Sequence, residues 1–309
     1  MIIGIQDEIL RIHSLKLLDK LLKDKTTKTN ILWATDAYNA LGADYQRDKE
    51  ITSPLITGPC SGIIKNRARK ALEQQSERTR QRAEVFTPLW ICNKMNNYAD
   101  EAWFGRPDVF NIAGAPTEKV IFSEKQSWKK YVDSRRLEIT CGEAPYLVSR
   151  YDVSTGESIR LENRIGILDR KIRVVNENTD SESEWVKWVT RAFQSTYGYE
   201  FQGDNLLIAR VNLLMTYEEY LTERWRRKPT PREYLAIANI ITWNLWQMDG
   251  LTGTIPYCKA AEEYHQMTMH DWLTKDQEKP LETTQPHCRI YDWRGEASLE
   301  YLEMFERGK

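Results

Sequence analysis

Long hydrophobic runs, paired cysteines, clustered histidines and a net charge of one sign are all missing from this 309-residue chain, and each absence removes a class of function. With no stretch of about 18 apolar residues, no segment is expected to cross a bilayer as a helix. The first residues, Met1 to Glu8, lack the basic and long apolar regions of a secretory signal, so the expected location is the cytoplasm, with no membrane partner. The five cysteines (Cys60, Cys92, Cys141, Cys258 and Cys288) are scattered and form no C-x-x-C pair, which argues for reduced thiols and against a disulfide framework or a zinc knuckle. His13, His265, His270 and His287 do not cluster at ligand spacing, and no metal is expected. The formal net charge of −1 offers no global case for nucleic-acid binding, so any such case must come from local clustering.

What is present suits a globular protein with a sizeable core, as one large domain or one domain with a smaller appendage. Ile5, Ile9, Ile12, Leu15, Leu18 and Leu22 recur every three or four residues and predict an amphipathic helix. Ile31 to Ala34 reads as a short strand, Thr52 to Gly62 as a Pro- and Gly-rich loop, and Pro107 to Gln126 as loop. Glu184 to Thr196, Leu206 to Leu221 and Glu233 to Asn244 read as helices, whereas the period of Arg164 to Val175 is unsettled. The tail beyond Pro256 is polar, and Lys275 to Gln285 has the composition of a disordered segment. Lys65, Arg67, Arg69, Lys70, Arg78, Arg80 and Arg82 stand against only Glu73 and Glu77, a local positive excess that suits phosphate contact or a solvated helix face. Arg224 to Lys228 reads instead as cations at a helix end. The eleven tryptophans and fifteen tyrosines could stack on bases, but the plain reading puts most of them in the core or at an interface.

The most informative stretch is Leu137-Glu-Ile-Thr-Cys-Gly-Glu-Ala-Pro-Tyr146, an acidic strand end running into a turn of small residues. In an open α/β sheet, ligands sit beyond the carboxyl ends of the strands, where such a turn lets backbone approach them closely. Pro145 suits the start of a helix near Tyr146 to Arg150. Glu200, closing Tyr197-Gly-Tyr-Glu200, is placed like an acid that accepts hydrogen bonds from ribose hydroxyls, and a helix-like run from Asn205 follows it. Taken singly, each feature is also compatible with an ordinary strand-to-helix turn or a surface acid.

Together these segments, over residues 80–255, resemble the gamma-ordered adenine-N6 DNA methyltransferases of restriction-modification systems, a group that includes proteins labelled restriction endonuclease subunit M. The resemblance implies an α/β fold with a Rossmann-like, S-adenosylmethionine-dependent methyltransferase sheet, complete or incomplete, behind an N-terminal helical segment. It implies that Phe86, Thr87 and Pro88 contact the methionine part of S-adenosylmethionine. Glu138 would lie near the methionine amino group, within a turn that includes Thr140, Cys141, Gly142 and Ala144. Glu200 would hold the ribose, Phe201 the adenine ring, and Asp249 the adenine amine, with Asn239 to Leu251 as the third strand. The implied organisation is a helical and basic segment over 1–82, a cofactor domain over 83–256 with an insertion at 151–187, and a tail over 257–309.

One departure concerns catalysis. Amino-methyltransferases carry an Asn/Asp/Ser-Pro-Pro-aromatic loop that holds the target amine and stacks on the flipped base, and this chain contains no Pro-Pro. Asp36-Ala-Tyr38 and Tyr291-Asp-Trp293 are the two substitutes that pair a carboxylate with an aromatic ring. Only 60 residues follow Asp249, too few for the usual remaining strands and a target-recognition domain. The expectation is therefore an adenine-specific DNA methyltransferase. The alternative is a catalytically silent cofactor- and DNA-binding subunit that needs a second subunit or forms a homodimer. Without a Pro-Asp…Glu-x-Lys arrangement, nuclease activity is disfavoured.

Overall fold

The computed structural model describes residues 3–70, 87–257 and 286–303. Arg78, Arg80, Arg82, Phe86, His265, His270 and the Lys275 to Gln285 stretch therefore lie outside the described residues. The fold is mixed α/β, with nine α-helices and seven short strands among the described residues. None of those helices is long and apolar enough to cross a membrane.

The first helical pattern resolves into two helices rather than one, α1 (Ile5–Ser14) and α2 (Leu18–Leu22). Lys16 adopts a left-handed φ of 59° between them, and the Lys16 and Leu17 amides bond back to the His13 and Ile12 carbonyls. This is a left-handed helix stop, and it redirects the chain so that Leu17, Leu18, Leu21 and Leu22 are all buried. Ile31 to Ala34, expected as a strand, forms only an isolated bridge between Leu32 and Glu50 and turns left-handed at Ala34. Its amides bond Leu22, Lys49 and Arg47 carbonyls and the Gln247 side chain. The Pro-rich Thr52 to Gly62 stretch contains a short helix, α3 (Ser53–Thr57), with Pro54 in its first turn, where a missing amide costs nothing.

Helix α4 (Leu89–Phe104) is followed by the small hairpin of β1 (Asn111–Ile112) and β2 (Ala115–Pro116), inside the stretch expected as loop. Then come α5 (Trp128–Asp133), β3 (Arg136–Glu138), and the helical pair α6 (Ile167–Asn178) and α7 (Glu182–Gln194). The segment of unsettled period is thus helical. Strand β4 (Thr196–Glu200) leads into α8 (Gly203–Trp225), which ends at left-handed Arg226. Helix α9 (Pro231–Asn244) starts with a capping box between Thr230 and Glu233 and runs directly into β5 (Leu245–Gln247). The third strand is therefore three residues long, and Asn239 to Asn244, assigned to it from the sequence, are helical. Strands β6 (Arg289–Asp292) and β7 (Ala297–Glu300) form an antiparallel pair.

The central sheet is parallel, in the order β3-β4-β5, with Glu138 opposite Gly198 and Glu200 opposite Gln247. Parallel neighbours need crossovers, supplied here by α6 and α7 before β4 and by α8 and α9 before β5. Helix α8 is the centre of the molecule and is buried on nearly all sides. Arg210, on its third turn, is fully buried; its guanidinium donates to the Leu245, Leu21 and Lys23 carbonyls, joining β5 and the end of α2 to α8. Burial pushes this guanidinium down to about 10.

Two variants test this frame. A Cβ on Gly203 would lie 1.9 Å from the Leu32 carbonyl oxygen, so Gly203→Ala is expected to lower stability by about 1–3 kcal/mol. Arg210→Met strands the buried Leu245 and Leu21 carbonyls and should cost more, at about 1–3 kcal/mol for each acceptor left without water. Urea unfolding of both variants, with the midpoint as readout, checks the size and the order of the two losses.

Candidate functional site

The carboxyl ends of the three parallel strands carry Glu138 on β3, Glu200 on β4 and, two residues past β5, Asp249. They stand in three adjacent strands because the sheet order follows the chain order. Beyond β3 the chain turns sharply, with left-handed φ angles of 48° at Thr140, 56° at Gly142 and 66° at Ala144. Only glycine adopts that conformation without strain. A Cβ at Gly142 would meet nothing within 4 Å, so the backbone here faces open space.

Glu200 ties the turn to the sheet. Its carboxylate accepts from the Gly142 amide at 2.9 Å and from the Gln202 amide at 3.0 Å. Glu143 accepts the Arg67 amide at 2.6 Å and the Tyr151 hydroxyl at 2.7 Å, and its carbonyl accepts Asn212 Nδ2 at 3.0 Å. Glu138 is buried and accepts from the Tyr146 and Leu147 amides, yet its Oε2 has no partner. Burial raises its carboxyl well above the ordinary value of 4.5, opposed by those two amides and reinforced by the charge of Glu200. Cys141 is buried beneath the turn, where burial pushes its thiol up, which excludes it as a ready thiolate nucleophile.

The helix expected from Tyr146 to Arg150 is absent. The Tyr146 and Leu147 carbonyls accept from Ile167 and Leu168, and Ser149 is held by Asp169, so these groups are spent on the next segment rather than on a helical turn. Thr87 and Pro88 stand beside this turn. Pro88 caps α4, the Thr87 side chain hydrogen-bonds Tyr146, and Asn96 of α4 donates to the Tyr146 carbonyl at 3.0 Å. Phe201 follows Glu200 with its ring 5.7 Å from that of Tyr257. Asp249 is half-buried, and its Oδ1 caps a local turn by accepting the Leu251 amide.

Of the basic stretch, Lys65 and Arg69 are exposed and Arg67 is half-buried. Lys70 is not available to a phosphate. It is buried, 3.5 Å from Asp204 Oδ2 and 3.2 Å from Asn205 Oδ1, because the charged start of α8 needs a counter-ion inside the fold. Arg227 and Lys228 pair with Glu233 and Glu218 at the ends of α8 and α9. Both carboxylate and aromatic substitutes serve the fold. Tyr38 donates to Asp204 at 2.8 Å and its ring lies 4.6 Å from that of Trp33, next to the strand-end site. Asp292 accepts Arg135 and Trp293 donates to Asn244, toward the amino ends of β4 and β5 and away from Glu200.

Asn212 and Arg150 were missed from the sequence, although they hold this site. Arg150, buried, bonds Asn212, Glu8 and Glu219. Their signal was polar residues placed within otherwise apolar stretches. No protein-family model matches the chain, and neither a curated protein nor a solved structure matches it.

A raised carboxylate destabilises the fold as it ionises, because the native state holds its proton more tightly than the unfolded chain. Stability contributed by protonated Glu138 is thus lost as pH climbs from 4.5 through the raised native value. Glu138→Gln is expected to be at least as stable as the parent at pH 8 and to show a shallower decline over that window, as read from thermal melts across pH.

Proposed function

We propose that the strand-end site binds S-adenosylmethionine and that the protein is an adenine-N6 DNA methyltransferase with a Rossmann-like core. The observation that carries this reading is Glu138, a buried carboxylate with one oxygen free of partners, set beside a half-buried glycine turn. Its chemistry fits an ammonium group, which would supply the hydrogen bond and the counter-charge that the site lacks. Glu200 would accept from the ribose hydroxyls. Phe201 offers an apolar face, and Asp249 Oδ2 an acceptor for an amine. Thr87 and Pro88 would close the methionine side. When bound, S-adenosylmethionine supplies a methyl group on a cationic sulfur, and these residues of the chain position and desolvate it. Lys65 and Arg69 would meet the phosphates of DNA.

A second reading is a silent cofactor- and DNA-binding subunit that acts with a partner. It is favoured by the structural engagement of Tyr38, Asp292 and Trp293, the groups that could have replaced the absent tetrapeptide.

Calorimetric titration with S-adenosylmethionine decides whether the site binds, and tritiated methyl transfer to mixed genomic DNA decides whether it catalyses. Binding is expected to weaken about tenfold or more in Glu138→Ala and in Glu200→Gln, the loss of one charge-assisted contact. Transfer to adenine supports the enzyme, and binding without transfer supports the silent subunit. The absence of binding in the parent protein would remove both readings.

A further inference from the structure

A cavity of about 410 Å³ lies between the first turn of α1 and the segment before Arg67. Its walls are Ile5, Gln6, Gly62, Ile64, Lys65, Asn66 and Arg69. Asn66 is almost completely buried, and neither its Oδ1 nor its Nδ2 has a hydrogen-bond partner. A buried side-chain amide with both ends unsatisfied costs free energy that a ligand offering a donor and an acceptor side by side would recover. Gln6 adds a third unfilled position. Its Nε2 is anchored on the Ile56 carbonyl, leaving the buried Oε1 without a partner.

The other walls narrow the chemistry. Ile5 and Ile64 present apolar surface. Among the described residues, the exposed cations Lys65 and Arg69 form no ion pair and no carboxylate lines the cavity. The amides of Ile5 and Gln6 open α1 and have no intrahelical partner by construction, which favours an anion beside them. A flat, apolar-faced group with an adjacent donor and acceptor, joined to an anion, describes a nucleotide. Asn pairs in this two-pronged way with the adenine edge, and Lys and Arg suit its phosphate.

We propose that this cavity is a nucleotide site in which Asn66 reads the base edge, Gln6 assists it, and Lys65 and Arg69 hold the phosphate. The site is separate from the strand-end acids and does not depend on the methyltransferase reading. Its ligand chemistry is that of an adenine nucleotide, either free or carried in a DNA strand.

The test is a set of titrations of the full chain with AMP, adenosine, inorganic phosphate and a short adenine-containing single-stranded DNA. AMP or the strand should bind, with affinity falling about tenfold or more in Asn66→Leu. A Lys65→Ala/Arg69→Ala double variant should bind AMP no better than adenosine. Tighter binding of the strand than of AMP identifies the strand as the source, and the reverse identifies the free nucleotide. If Asn66→Leu fails to melt cooperatively, Asn66→Asp removes the amide donor in nearly the same volume and gives the same readout. Equal affinity in parent and Asn66 variants, equal binding of inorganic phosphate alone, or no binding of either nucleotide form would overturn the proposal. Unchanged AMP affinity in Glu138→Gln separates this outcome from the fate of the strand-end reading.

Discussion

The structure depends on satisfying polar groups along α8, a helix that is buried almost all round and yet is not apolar. Asp204, Asn205, Arg210, Asn212 and Glu218 all sit inside the protein on this one element. A buried polar group without a partner is expensive, so each of these side chains dictates what packs beside it. Arg210 gathers the end of α2 and the start of β5. Asp204 draws in Tyr38 and Lys70. Asn212 reaches the strand-end turn, and Glu218 takes Arg11, Lys228 and Tyr234. For Glu218, burial works to raise its carboxyl, but the bonds from those three groups outweigh it and hold it down to about 2.

That web explains why the turn beyond β3 is stiff enough to act as a site. The strained left-handed residues Thr140 and Ala144 flank Gly142 and Glu143, which are bonded to Glu200, Tyr151 and Asn212, and they precede Tyr146, which is bonded to α4, so the surrounding structure over-determines them. Glu138 is the exception within this bonded frame. Its backbone donors fix its position while one oxygen remains unpartnered and desolvated, near the charge of Glu200. The Asn66 cavity has the same character with neutral groups, its buried amide being left without a partner.

Much of the local structure was legible. The periodicity of Leu206 to Leu221 and of Glu233 to Asn244 marked α8 and α9 because their apolar positions recur at helical spacing. The cations of Arg224 to Lys228 marked the end of α8. Strand ends at Glu138 and Glu200 followed from an acid placed between apolar residues and small ones. Other elements were not legible. Ile31 to Ala34 has the composition of a strand, but its partners are loop carbonyls and the Gln247 side chain, contacts far apart in the sequence. The Tyr146 to Arg150 helix was expected from Pro145, and it lost to carbonyl bonds with Ile167 and Leu168 that no local pattern reveals.

By itself the sequence determined which segments are apolar, where the two long helices α8 and α9 lie, and that acids end two consecutive strands, since these follow from side-chain type and short-range spacing. Only the tertiary structure decided which polar groups found partners. Lys70, read as a phosphate contact, was turned inward by Asp204, whereas Glu138 and Asn66 were left with unfilled hydrogen-bonding capacity. The physical reason is that satisfaction of a buried group depends on neighbours brought close by folding, over separations as large as the 134 positions between Lys70 and Asp204.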